Sequence, residues 1–229
     1  MTSRRALALA FLALAALACD TGSRIPGLGG NGNNALLRIV NTTGVAIDLT
    51  RNGFAVGGSG HVLPRSTSAC IRVDPGTTFG LRESGATSDL GDFAPVFAEG
   101  ATYSAVVYTS DVGTTRSLTL SDDFVPTSGL AGLRIVDVAP GVGALDVYVT
   151  PPGEPLGVPS SASIGFGGNT GFFDTNPGTS QVRFTFAATP TLVLDAGTIT
   201  LAPAQRSTMV LTQPNGSAAT PVATLVPAC

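Results

Sequence analysis

The segment Ala35-Leu36-Leu37-Arg38-Ile39-Val40 returns almost unchanged as Ala131-Gly132-Leu133-Arg134-Ile135-Val136. Further matches follow in the same order. Val45-Ala46-Ile47-Asp48-Leu49-Thr50 lines up with Gly143-Ala144-Leu145-Asp146-Val147-Tyr148, and Asp74-Pro75-Gly76-Thr77 with Asn176-Pro177-Gly178-Thr179. Ser104-Ala105-Val106-Val107 lines up with Thr208-Met209-Val210-Leu211, so the offset grows from 96 to about 104 residues. A period near 100 is longer than a solenoid unit and matches one small domain. The repeat predicts two tandem domains, 35–127 and 130–229, joined by the turn-like Val125-Pro126-Thr127-Ser128-Gly129.

Both copies read as strands. Val45, Ile47 and Leu49 alternate with Ala46, Asp48 and Thr50; Leu145, Val147 and Val149 alternate with Asp146, Tyr148 and Thr150; Val182, Phe184 and Phe186 alternate with Arg183, Thr185 and Ala187. A strand with one buried face requires this period of two. Asn52-Gly53, Pro75-Gly76, Pro152-Gly153 and Pro177-Gly178 punctuate the runs as turns. The chain's 29 Gly and 16 Pro, about a fifth of 229 residues, disfavour helix interiors. With 43% hydrophobic and 12% charged residues it has a core to bury, unlike a typical disordered chain. The expected fold is all-β: two tandem antiparallel β-sandwiches, Ig-like or transthyretin-like.

The second copy carries a more specific signature. Leu133-Arg134-Ile135-Val136-Asp137-Val138-Ala139-Pro140-Gly141, followed by Leu145-Asp146-Val147-Tyr148-Val149, resembles the opening of the DUF4397 family. Phe166-Gly167, Gly171-Phe172 and Pro177-Gly178-Thr179 fit that family's later strand pair and turn. Asp137 stands where the family usually has His. The first copy is more diverged, with Asn41-Thr42-Thr43-Gly44 in place of the Ala-Pro segment and Asp48-Leu49-Thr50 in place of Asp-Val-Tyr. The resemblance covers about 35–229. It implies exported, often lipid-anchored, tandem β-sandwich modules of bacterial envelopes, and it implies no activity.

The N-terminus points to export. Arg4 and Arg5 precede an unbroken apolar run, residues 6–18, and Cys19 follows directly. A basic start, a short apolar core and small residues before a cut define a secretory signal. Thirteen residues are too few for an ordinary membrane span, which needs about twenty. Ala16-Leu17-Ala18-Cys19 resembles the bacterial lipobox, with Ala16 and Leu17 transposed, which makes 1–18 a lipoprotein signal peptide and Cys19 the lipidated residue. Residues 19–34 then form a Gly- and Asn-rich tether with almost nothing to bury. The expected location is the bacterial cell envelope, periplasm-facing or at the cell surface, with a lipid as the membrane contact.

Charge and residue types narrow the chemistry. The formal net charge is −3; without Arg4 and Arg5, ten Arg face fifteen acids and it becomes −5. There is no Lys, and the Arg residues are dispersed, so no basic patch suits nucleic acid. His61, the only His, sits in the loop-like Gly57-Gly58-Ser59-Gly60-His61, without the strand-to-helix elbow of a hydrolase nucleophile. One His and no paired Cys spacing give no zinc site, and no cofactor motif is present. Asp122-Asp123, the only adjacent acidic pair, is a weak calcium candidate and reads better as a solvated strand end. Asp48 and Asp146, at equivalent places in the two copies, read as structural, bonding backbone or Arg38 and Arg134. Tyr103, Tyr108, Tyr148, Phe166, Phe172 and Phe173 could stack on sugars, but core packing is their more ordinary use.

If Cys19 is lipidated, Cys70 and Cys229 are the remaining pair in an oxidising compartment, which predicts a disulfide between the copies. The combined expectation is a non-catalytic envelope lipoprotein with a binding, adhesive or surface-structural role. An envelope protein or a glycan is the expected partner. A periplasmic carbohydrate- or peptidoglycan-binding module is the alternative, and sparse acid–base residues make a hydrolase the weakest reading.

Overall fold

The computed structural model describes residues 34–213 and 220–229. The signal segment, Cys19 and the tether lie outside the described residues. The first copy contributes β1 (Ala35–Asn41), β2 (Ile47–Arg51), β3 (Phe54–Ala55), β4 (His61–Val62), β5 (Ser66–Thr67), β6 (Ile71–Val73), β7 (Phe79–Glu83), β8 (Thr102–Thr109) and β9 (Thr115–Ser121). The second contributes β10 (Ala131–Val138), β11 (Leu145–Thr150), β12 (Ser161–Ile164), β13 (Gly168–Thr175), β14 (Gly178–Phe186), β15 (Leu192–Leu201), β16 (Arg206–Thr212) and β17 (Val222–Pro227). There is no α-helix among the described residues.

The strands form four sheets, and no sheet mixes the copies. In sheet A, β1 lies between β8 and the short β5 and β6, and β9 closes the far edge. In sheet B, β3, β4 and β7 all pair with β2. Sheet C runs β13-β10-β16-β17, and sheet D runs β12-β11-β14-β15. The pairing scheme recurs: β1 beside β8 corresponds to β10 beside β16, and β2 beside β7 corresponds to β11 beside β14. The strands pair antiparallel, as expected, except for one pair in each copy. β1–β8 and β10–β16 are parallel, with Ile39 opposite Ala105 and Ile135 opposite Met209. Alternation sets which face is buried but carries no strand direction, so the sequence could not show this.

Alternation explains the cores. Leu37, Ile39, Ile47, Leu49, Ile71 and Leu81 fill the space between sheets A and B. Leu133, Ile135, Leu145, Val147, Phe184 and Met209 do the same between C and D. Fully burying each such side chain stabilises the fold by about 1.5–3 kcal/mol. The ends of the alternating runs escape burial: Val45 precedes β2 and Phe186 ends β14, and both are exposed.

A third apolar cluster joins the copies. Val40 and Val106 of sheet A meet Val136, Val138, Val210 and Val226 of sheet C, with Tyr108, Leu118 and Leu120 packed against them. The layers therefore stack in the order B, A, C, D. Strand β10 is consequently buried along its whole length, one face on the sandwich core and the other on the seam. Its sequence AGLRIVDV, nearly all apolar, is what a strand covered on both faces needs.

Candidate functional site at the seam

Arg134 is one of two charged residues in β10, and its surroundings show how it is tolerated. A guanidinium on a doubly covered strand must be paired or the fold loses several kcal/mol. Its Nη2 meets Asp122 Oδ1 at 2.5 Å, with the two side chains 3% and 0% exposed. Nη1 donates to the Ser121 carbonyl at 2.7 Å, and Nε and Nη2 both reach Thr208 Oγ1. The guanidinium carbon lies 4.4 Å from the centroid of the Phe172 ring, which stacks on Phe124. Asp122 is held from its other side by Ser104 Oγ at 2.7 Å, and Arg206 donates to its carbonyl. Burial lowers the Arg134 pKa, and the Asp122 carboxylate opposes that shift. Asp122 is thus no solvated strand end; only its neighbour Asp123 is exposed. Leaving β9, the chain dives into the seam because Arg134 and Ser104 supply donors there.

One end of the seam opens into a cleft of about 280 Å³. Thr42, Thr43 and Gly44 after β1, Thr109 at the end of β8, and Ser110, Asp111 and Gly113 between β8 and β9 form one wall. Val138, Pro140, Thr212 and Gln213 from the second copy form the other. The lining is rich in hydroxyls, with a single carboxylate, Asp111. Part of it is already committed. Thr42 Oγ1 donates to the Val107 carbonyl, Thr43 Oγ1 bonds Asn41 and the Val45 carbonyl, and Ser110 Oγ bonds Thr114. These bonds hold the loops in place. Asp111 is exposed and Pro140 half-buried, so this rim offers a carboxylate and a small apolar face to a small polar ligand.

At the sheet edges, Cys70, just before β6, and Cys229, at the end of the chain, come to disulfide distance, with Cα atoms 5.8 Å apart. That spacing lies in the range a disulfide requires. The pair spans 159 residues and reaches from sheet A to sheet C across the seam.

The remaining candidates are dispersed. His61 begins β4 after a short 3₁₀ turn, Gly58–Gly60, and its Nδ1 meets Asp48 Oδ1 at 2.6 Å. Asp48 therefore binds His61, and among the described residues it bonds neither Arg38 nor backbone. Its counterpart Asp146 does bond backbone, accepting from the amides of Ser163 and Ala188. No cluster of three His, Cys, Asp or Glu side chains suited to a metal occurs among the described residues. The aromatics do not share one surface: Tyr103 packs on Phe97 in the first core, Tyr108 meets Phe166 edge-on, and Phe172 carries Arg134.

Sequence reading missed one residue in particular. Asp137, on the inward face of β10, is 1% exposed. Its Oδ1 accepts from the Ala139 amide at 2.9 Å, while Oδ2 is buried with no partner. Burial pushes its pKa up to about 6, against the favourable Ala139 amide. The signal was present: apart from Arg134, Asp137 is the only charged residue in an apolar run. Comparison with protein-family models finds no match for the chain, and comparison with curated proteins finds none either.

Proposed function

We propose that this chain is a non-catalytic lipoprotein of the bacterial cell envelope, of the DUF4397 type, with a binding, adhesive or surface-structural role. Cys70 and Cys229, at disulfide distance across the seam, are the observation that carries this reading. A structural disulfide belongs to an oxidising compartment. That fits the export signal and the lipid-accepting Cys19 read from the sequence. The clasp, the buried Asp122–Arg134 pair and the valine seam join the two sandwiches into one stiff unit. A stiff body on a flexible tether suits presentation of surface loops to a partner.

The hydroxyl-lined cleft favours a second reading, a carbohydrate- or peptidoglycan-binding module. Neutral sugars are bound by hydroxyls, one or two carboxylates and a small apolar face, which is the composition of this lining. Calorimetry with soluble wall fragments separates the two. Saturable binding lost in Asp111→Ala supports the glycan module; no heat at millimolar fragment supports the structural role.

A further inference from the structure

Arg38 and Arg134 occupy the same place in the two copies, yet they meet different partners. In sheet C, Arg134 lies opposite Phe172 in the β10–β13 register and covers its ring. In sheet A, Leu37 lies opposite Ile71, and the next step of that register brings Arg38 opposite Cys70. There Arg38 Nη2 donates to Cys70 Sγ at 2.9 Å. Cys70 is exposed and Cys229 is partly exposed, so a thiol in solution can reach the pair. Within the bonded pair the two sulfurs are therefore unequal: Cys70 Sγ touches a guanidinium, and Cys229 Sγ meets no such cation among the described residues.

We infer that the Cys70–Cys229 bond is a thiol-exchange site for a dithiol reductant, with Cys229 as the attacked sulfur and Cys70 as the leaving sulfur. The first reductant thiolate attacks Cys229 Sγ, forming a mixed disulfide and breaking the Cys70–Cys229 bond. Cys70 leaves as a thiolate, which Arg38 stabilises before it takes up a proton. The second reductant thiol then displaces Cys229 as a thiol, and the reductant carries away the new disulfide. Two electrons pass from dithiol to protein. A lower-pKa thiol leaves faster, and a neighbouring Arg lowers a thiol's pKa, so Arg38 directs the attack. Opening the bond frees Cys229 from Cys70 while the valine seam and the Asp122–Arg134 pair remain.

The inference rests on the disulfide reading, and one experiment separates the two. Mature full-length protein is first mapped without reduction, then treated with limiting reduced glutathione, acid-quenched and alkylated. Trypsin cuts only after Arg here, so Cys70 and Cys229 fall in separate peptides, 66–72 and 207–229. Glutathione is expected on Cys229 and the alkyl group on Cys70, by at least about fivefold over the reverse. Arg38→Met should bring the ratio near one, and Arg38→Lys should keep most of the bias. A bonded protein that takes glutathione on Cys70, or equally on both, overturns the inference alone. Two free thiols at the outset overturn it together with the disulfide. If Arg38→Met does not fold, the wild-type ratio still decides.

Discussion

Asn41 and Asp137 occupy the same position in the two copies and differ in one terminal atom, and that atom is satisfied in one copy and orphaned in the other. Each side chain accepts from the amide two residues on, Thr43 or Ala139, through Oδ1. Asn41 Nδ2 then donates to the carbonyls of Val45, Val62 and Leu63. Asp137 presents an oxygen instead, buried and without a partner. The surroundings are built alike, since Val62 lies opposite Ile47 in β2 as Ile164 lies opposite Leu145 in β11.

A pH dependence follows. The folded-state pKa of Asp137, raised by burial to about 6 from the ordinary 3.8, means that the fold binds this proton more tightly than the unfolded chain does. Its contribution is therefore fully favourable below about pH 4, is lost as pH rises to 6, and stays lost above that. The difference is on the order of 3 kcal/mol. Asp137→Asn should remove this step and stabilise the protein at pH 7, because an amide can donate where the carboxylate cannot. Urea denaturation of both proteins at pH 4 and pH 7 checks it; equal pH dependence in the two would refute the assignment.

The ion pair at the seam gives a second prediction. Arg134→Met leaves Asp122 charged and buried, which should cost about 3–5 kcal/mol. Adding Asp122→Leu removes the orphaned charge and should recover a good part of that loss. A double-mutant cycle reads the coupling directly, and strictly additive losses would show that the pair is not the unit described.

Two glycines of similar sequence context should behave differently. A Cβ on Gly132 would lie 2.8 Å from the Phe124 ring, which is stacked on Phe172. Gly132→Ala should therefore cost about 1–3 kcal/mol through overpacking. Gly165→Ala meets nothing within 4 Å and should stay within about 0.5 kcal/mol of wild type. Thermal melts of the two variants compare them.

These contrasts also mark how far the residues alone reach. Apolar alternation placed β2, β11 and β14 and their inward side chains, because burial of one strand face is a local property. The parallel partners of β1 and β10 lie some 70 residues away, at Thr102–Thr109 and Arg206–Thr212, and alternation says nothing of partner or direction. Asp122 read as solvated because its flanks are polar, while the donors that bury it come from Ser104 and Arg134 on other strands. Asp137 was visible as an acid in an apolar strand, but only the copy's Asn41 network shows what it lacks. Cysteine count predicted a Cys70–Cys229 pair; the distance between them is a property of the stacked sheets.

The intact mass of protein purified from native membranes, with and without reduction, tests the account most directly. The expected result is a chain that begins at Cys19 and carries a diacylglycerol, lighter by two hydrogen atoms until reduction restores them. An unlipidated chain with two free thiols at Cys70 and Cys229 would contradict both the envelope anchor and the clasp across the seam.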